Sequence, residues 1–204
     1  MVVVLFGRGR RLGDPLTAEE LAGKKLDRLL AVVSMDCECE YDVAPLIGPM
    51  IPHRWSQRAQ RRAAEKLGFV FQAFHLLPYL TAAENLVLAV RGGDRRQRVR
   101  EMLQAVGLED RADAKPGALS QGEQQRVAIA RASINQPPVL YADEPTGNLD
   151  AHSAEFVHRL LREACDRRAA VVVVSHRPET AAIADRVWRL EDGVLSGAGE
   201  GVSR

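Results

Sequence analysis

Residues 138–150 read PVLYADEPTGNLD, an apolar run that ends in two adjacent carboxylates, Asp143 and Glu144. A continuous apolar run of this length is typical of a strand in a parallel sheet buried on both faces. Because ligands of open parallel sheets lie beyond the carboxyl ends of the strands, both carboxylates are predicted to face a ligand. One can hold Mg²⁺, largely through water, while the other polarises an attacking water. The alternative is a charged strand end that caps the following turn.

Predicted helices and strands alternate on both sides of this run. Capping boxes, with Glu three residues after the cap, predict helix starts at Thr17, Thr81 and Ser120. Apolar spacing extends the first of these helices to about residue 32 and the last to about 134, and predicts others at 56–66, 95–106, 151–165 and 179–184. Strands are predicted at 2–6, 68–71, 139–142, 170–175 and 186–190. The pattern predicts an α/β fold, a mostly parallel sheet with helices on both faces and a small helical subdomain at about 73–118.

Composition limits the class of partner. The 204 residues are 46% hydrophobic and 27% charged, as expected for a folded domain. The net charge of +1 is far from the basic surplus of proteins that bind phosphate backbones, so nucleic acid is not an expected partner. Cys37 and Cys39 are too close for the usual metal-binding pair, and Cys165 makes the number odd, so neither a metal nor a disulfide is expected there.

The sequence has no apolar run of the roughly 18 residues that a membrane-spanning helix needs. The opening apolar stretch, residues 2–6, is too short for a secretion signal and is followed by arginines. The protein is therefore expected in the cytoplasm, and any membrane contact is expected to go through a partner.

A second motif lies at residues 119–132, which read LSQGEQQRVAIARA. The predicted helix start at Ser120 leaves free N–H groups and the positive end of the helix dipole. Ser120 and Gly122 make a good seat for an anion there, because glycine lets the backbone approach a phosphate closely. The alternative is a simple helix start.

Taken together, four strings resemble the ATP-hydrolysing subunits of ABC transporters. Residues 119–132 resemble the family's signature motif, with Gln121 in place of the first of two glycines, and residues 141–150 resemble its Walker B motif and D-loop. The string GFVFQ, which ends at Gln72, resembles the Q-loop, and VVVVSH, which ends at His176, resembles the strand before the switch histidine. Residues 74–81 and 143–150 look most like the branch with lipoprotein-release, macrolide-export and cell-division ATPases.

The resemblance implies a fold like that of the P-loop NTPases and a role for each matching residue. Gln72 would contact Mg²⁺ or the attacking water and sense the transporter partner. Asp143 would hold the shell of Mg²⁺, and Glu144 would be the general base. His176 would touch the γ-phosphate, and Asp150 would reach across a dimer interface.

The signature residues would act on a second subunit. Ser120 and Gly122 would bind the γ-phosphate held by that subunit, and Gln121 and Glu123 belong to the same ATP-binding group. The implied cofactors are ATP and Mg²⁺. The implied partners are membrane permease subunits and a second ABC ATPase subunit, so the chain would lie in the cytoplasm, peripheral on the inner face of the cell membrane.

The sequence departs from the family in its first third. No G-x-x-x-x-G-K-[ST] string, the family's phosphate-binding loop, precedes Gln72. The nearest candidate contains Gly23 and Lys24, but Ala18 stands for its first glycine and Lys25 for its Ser or Thr. We therefore expect an atypical N-terminal segment at 1–66, in which Phe6 is a weak candidate for a stacking aromatic, and an ABC ATPase domain at 67–204.

Three explanations of the missing loop stay open: a degenerate partner subunit, a truncated or frame-shifted reading of an ordinary ATPase gene, and a nucleotide site completed elsewhere. The expected function is the ATP-hydrolysing subunit of an ABC transporter. The alternatives are an impaired subunit with a regulatory role and a soluble ABC protein that acts on DNA or ribosomes.

The family resemblance implies that residues 74–80 form part of the groove that receives the permease. The other histidines, His53, His75, His152 and His158, are expected at the surface.

Overall fold

The computed structural model describes the backbone of residues 2–6, 67–191 and 194–200, and the side chains of residues 67–189. The strands in this part of the chain are β1 Val2–Phe6, β2 Leu67–Val70, β3 Val139–Asp143, β4 Ala170–Ser175, β5 Arg186–Glu191 and β6 Val194–Glu200. They form a single sheet in the order β2-β3-β4-β1-β5-β6. Each of the five predicted strands is present, and β6 was not predicted.

Strands β2, β3 and β4 form the parallel half of the sheet. Leu67 pairs with Val139, and Val139 pairs with Ala170, so the three strands run side by side in one direction. The three central residues of β3 are buried, which is why its sequence is continuously apolar rather than alternating. Parallel strands end at one edge, and this edge receives Asp143.

Strands β1, β5 and β6 form the antiparallel half. β1 lies between β4 and β5 and is antiparallel to both, and β6 is antiparallel to β5. The α/β class and the parallel core are confirmed, but three of the five described strand pairings are antiparallel. The apolar pattern of residues 2–6 predicts a strand without fixing its direction, because direction depends on the connection to the rest of the sheet.

The direction of β1 has a consequence for the edges of the sheet. Val2 pairs with Ser175 at the end of β4, and Phe6 pairs with Val171 near its start. The carboxyl end of β1 therefore lies at the edge opposite to the one that Asp143 reaches.

The described helices are α1 Ala82–Val87, α2 Arg95–Ala105, α3 Gln121–Ser133, α4 Ala151–Asp166 and α5 Pro178–Ala182, with short 3₁₀ turns at Glu109–Arg111 and Pro116–Ala118. Helix α3 packs against β2 and α4, and α4 packs against β4. The capping boxes predicted at Thr81 and Ser120 are both formed, with the cap hydroxyl and the Glu carboxylate each accepting a backbone N–H. The helices predicted to start at Thr17 and at residue 56 lie outside the described residues.

Helices α1 and α2 lie within the helical subdomain predicted at about 73–118. Its core includes Leu86, Val99 and Leu103. The buried side chain of Asn85 accepts the N–H of Leu77 at 2.8 Å, and its amide donates to the carbonyls of Leu77, Leu80 and Thr81. Asn85 thereby fixes the loop that enters α1.

No helix in the described ranges is long and apolar enough to cross a membrane. The division of the chain at residue 66 stays a prediction, because residues 7–66 are not described.

Candidate functional site

The carboxyl edge of the parallel half gathers four of the predicted site residues. Asp143 ends β3 beside Val174 of β4, so the residues that follow the two strands are neighbours. Glu144 and His176 follow these strands directly, and their carboxylate and imidazole approach to 3.8 Å. The amide of Gln72, from the turn after β2, lies beside the backbone of Gly147, where an added Cβ would be 3.5 Å from Nε2.

Glu144 is fixed at three points. Its N–H donates to the carbonyl of Val174 at 2.9 Å. Its carboxylate accepts the N–H of His176 on Oε1 at 2.8 Å and the hydroxyl of Ser175 on Oε2 at 3.2 Å. Its backbone has a φ of +42°, a left-handed conformation that costs a non-glycine residue about 1 kcal/mol or more. Such strain persists only where the surroundings impose it, and it is concentrated at functional sites.

Asp143 has a different environment from its neighbour. Burial raises the pKa of its carboxyl, the charge of Glu144 raises it further, and His176 opposes the shift. A cation beside the two carboxylates would relieve their repulsion.

The donor set at this edge fits Mg²⁺ only in part. No group of three or more His, Cys, Asp or Glu side chains able to hold a metal occurs among the described residues. Mg²⁺ in phosphate-handling sites commonly takes one or two carboxylates and fills its other positions with water and phosphate oxygens. Asp143 fits that limited role.

The signature residues form a second group around the start of α3. The Ser120 hydroxyl accepts the N–H of Glu123 at 3.2 Å, and the Glu123 carboxylate accepts the N–H of Ser120 at 2.7 Å. The hydrogen bond from the Ser120 N–H lowers the pKa of the Glu123 carboxyl. Arg111, whose Nε lies 3.3 Å from the carboxylate, lowers this pKa further. Gln121 is exposed. The role of Glu123 toward a nucleotide stays a prediction.

Gly122 brings the start of α3 against the start of α4. It is buried, and an added Cβ would lie 2.5 Å from the hydroxyl oxygen of Ser153. Asp150 caps α4, accepting the N–H of Ser153 at 2.9 Å and its hydroxyl at 2.7 Å, and these bonds lower the Asp150 pKa. Two helix starts, each with free N–H groups, therefore lie side by side.

The two groups share no direct hydrogen bond among the described residues. No hydrogen bond joins any of Gln72, Asp143, Glu144 and His176 directly to Asp150 or to the signature residues.

Three residues that hold these surfaces were missed by the sequence analysis. Arg131 of α3 donates to the carbonyls of Phe74 and His75 at 3.1 and 2.6 Å and fixes the segment after Gln72. Ser175 contacts Glu144, and the Arg177 side chain donates to backbone carbonyls of the turn before Asp150. All three contacts join segments distant in sequence, and the position of Ser175 directly before His176 was the one available signal.

Two of the histidines differ from expectation. His75 and His158 were expected at the surface, but both are half-buried, and burial lowers the pKa of each. His158 Nε2 lies 3.0 Å from the hydroxyl of Thr180, a contact between α4 and α5. His152 is exposed, and His53 lies outside the described residues.

The helix-covered parallel strands and the carboxylate pair at their edge define an α/β domain of the P-loop NTPase type. A family profile described as ABC transporter matches residues 49–147. A solved dimeric post-hydrolysis structure of the ATP-binding cassette MJ0796, bound to ADP and Pi, is 37% identical, with a TM-score of 0.65 over 74% of this chain and 70% of that one. A second dimeric structure of MJ0796 is 38% identical, again with a TM-score of 0.65. The chain therefore belongs to the ATP-binding cassette family of ABC transporters.

Among curated relatives, the macrolide export ATP-binding/permease protein MacB of Photorhabdus laumondii is 47% identical over 146 residues. MacB of Escherichia coli K12 is 50% identical over 136 residues. These alignments cover 69% and 64% of this chain, but the chain spans only 23% and 21% of the two relatives. The predicted macrolide-export branch agrees with these matches.

Proposed function

We propose that this chain is an energy-coupling subunit or domain that binds and hydrolyses ATP for an exporter of the macrolide-export type. The observation that carries the proposal is the Glu144 carboxylate, held by Ser175 and by the His176 N–H at the edge where ligands of parallel sheets bind. The named relatives, which are ATP-binding/permease proteins, support the link to transport.

In this proposal Glu144 is the general base. Its two anchored oxygens keep the carboxylate in one orientation, in which it accepts a proton from water at the sheet edge. The exposed imidazole of His176, 3.8 Å away, lies where it can contact a phosphate. Asp143 and Gln72 would hold the solvated Mg²⁺, which supplies charge neutralisation at the phosphates when bound.

The signature surface would serve a second subunit. Two adjacent helix starts present N–H groups and positive dipole ends, which suit the γ-phosphate of a nucleotide held elsewhere. The dimeric structures of the related cassette MJ0796 support a site shared between two ABC ATPase subunits, in which Asp150 would contact the other subunit. This chain would contribute its signature residues to the shared site: Ser120, Gln121, Gly122 and Glu123.

The partner at the membrane would be a permease. The segment after Gln72 is held by Arg131 and Asn85 while exposing Tyr79, which is 63% accessible. A rigid loop with an exposed aromatic residue suits protein contact. We therefore place the chain in the cytoplasm, peripheral on the inner face of the cell membrane.

A second candidate is a subunit that couples without hydrolysing. The glycine-rich loop of P-loop proteins follows a strand and meets phosphate at the ligand edge of the sheet. The carboxyl end of β1 lies at the opposite edge, so β1 does not take the part of that strand. Together with the absence of a G-x-x-x-x-G-K-[ST] string from the sequence, this observation on the described strands favours a subunit that does not hydrolyse ATP.

The shared site is tested by association with a complete ABC cassette in Mg-ATP. Ser120→Arg is expected to weaken ATP-dependent association at least tenfold, because it blocks the phosphate seat. Thr81→Arg is the matched control, since Thr81 closes the same kind of capping box away from the site. Sedimentation of both variants decides the question, and equal behaviour of the two variants would refute the shared site.

A further inference from the structure

Three consecutive residues at the end of β4 hold the turn that carries the site. Ser175, the backbone of His176 and Arg177 together contact Glu144, Gly147 and Leu149. We call residues 175–177 the β4 clamp. It joins the general base of the proposed function to the turn that ends at Asp150.

The Ser175 hydroxyl has one available orientation. The residue is completely buried, so solvent does not compete for its hydroxyl. Its Oγ accepts the N–H of Arg177 at 3.1 Å, and its single proton points to Glu144 Oε2 at 3.2 Å. A serine in this position gives the carboxylate a fixed donor, whereas alanine would leave Oε2 without it.

The Arg177 side chain holds the other end of the turn. Its Nη2 donates to the carbonyls of Gly147 and Leu149 at 3.0 and 3.3 Å. A charged donor that bridges two carbonyls two residues apart fixes the path of the backbone between them. The residue after Leu149 is Asp150, so this contact sets where Asp150 caps α4.

We propose that Ser175 and Arg177 are positioning residues, Ser175 for the Glu144 carboxylate and Arg177 for the turn that carries Asp150. The proposal rests on the proposed function of Glu144. The left-handed backbone of Glu144 adds to the argument, because a strained residue keeps its conformation only when its neighbours impose it.

Amide hydrogen exchange of the full-length chain without nucleotide is the first measurement. Ser175→Ala is expected to speed exchange of the His176 N–H at least threefold, because the Glu144 acceptor loses its second anchor. The Glu144 N–H, bonded to Val174, is the internal control and is expected to stay protected. Ser175→Thr keeps the hydroxyl and is expected to restore the wild-type rate.

The second variant tests the other end of the clamp. Arg177→Met keeps the length of the side chain but removes the donor, so the Gly147 and Leu149 amides are expected to exchange at least threefold faster. Arg177→Lys is expected to recover part of the protection. Unchanged exchange rates in both Ser175→Ala and Arg177→Met would overturn the proposal. A uniform rise in the exchange rates of all amides in β3 and β4 would also overturn it, because the two residues would then only stabilise the sheet.

Turnover at high Mg-ATP separates this proposal from the proposed function. Ser175→Ala is expected to lower kcat about tenfold with KM within twofold, and Ser175→Thr to restore it. An unchanged kcat with altered exchange would overturn positioning for catalysis. A wild-type chain without turnover at saturating Mg-ATP would refute the proposed hydrolysis, and the exchange result would still decide whether the clamp holds the carboxylate.

Discussion

The two halves of the sheet differ in what strand direction lets them do. In the parallel half, β3 and β4 end at one edge and bring Asp143, Glu144, Ser175 and His176 together. In the antiparallel half, β1 occupies the position beside β4 but ends at the other edge. Both halves have three described strands, but only the parallel half can form a site of this type. Such a site needs neighbouring strands whose carboxyl ends lie at the same edge of the sheet.

The largest expected effect concerns nucleotide affinity: because no phosphate-loop string precedes Gln72 and β1 ends at the opposite edge, this chain should bind Mg-ATP far more weakly than a complete cassette. A missing phosphate loop removes several charge-assisted hydrogen bonds, each worth roughly 1.5–3 kcal/mol. Losing three costs about 4–9 kcal/mol, which is on the order of a thousandfold or more in affinity. Calorimetric titration measures the difference.

A hybrid supplies the control for this prediction. In the hybrid, the loop-bearing segment of a complete cassette replaces residues 1–66, and the rest of the chain is unchanged. The hybrid should regain most of the lost affinity. Micromolar binding by the unaltered chain would contradict the prediction and direct attention to Lys24 and Lys25.

A smaller effect is expected from close packing in the parallel half. A Cβ on Gly68 of β2 would lie 2.5 Å from the carbonyl oxygen of Ala132 and 2.9 Å from the side chains of Pro137 and Leu140. Gly68→Ala should therefore lower the free energy of unfolding by about 1–3 kcal/mol. Gly117→Ala is the control, because nothing lies within 4 Å of its added Cβ. Denaturant titration that finds the two variants equally stable would show that β2 is not tightly packed.

The smallest effect concerns the pH dependence of stability. Since the pKa of Asp143 is raised in the folded chain, the folded state binds more protons there than the unfolded state. Stability is therefore lost as pH rises from the ordinary Asp value through the raised one. Asp143→Asn should remove that loss and raise Tm at neutral pH relative to wild type. Thermal unfolding from pH 4 to 7 checks the sign, and a lower Tm for the variant at pH 7 would contradict it.

Helices and strands were predicted well from the sequence where they depend on residues close together in the chain. The hydroxyl and carboxylate of each capping box lie three residues apart, so Thr81 and Ser120 predicted their helices directly. The buried strand β3 was predicted from its apolar run to within one residue. The grouping of Glu144 with His176 came from the family resemblance, and the structure places the two side chains 3.8 Å apart.

Features that depend on distant partners were not predicted. The direction of β1 is seen in its pairing with β4 and β5, which are distant in sequence, and an apolar pentapeptide does not encode that direction. The contacts of Arg131 and Arg177 are with backbone carbonyls, which leave no pattern in the sequence. Gly122 was interpreted as an approach to phosphate, and the structure adds a packing reason, the Ser153 side chain against it. The catalytic and binding roles stay predictions.

The decisive experiment on the hydrolytic role of Glu144 is Mg-ATP turnover by the hybrid with Glu144→Gln. We expect the hybrid to hydrolyse ATP and Glu144→Gln to lower its kcat about a hundredfold or more, because the general base at the parallel edge is lost. Glu155→Gln, an exposed glutamate on α4, is predicted to leave kcat unchanged. Near-normal turnover by the Glu144→Gln hybrid would contradict the claim that the parallel half carries the hydrolytic chemistry.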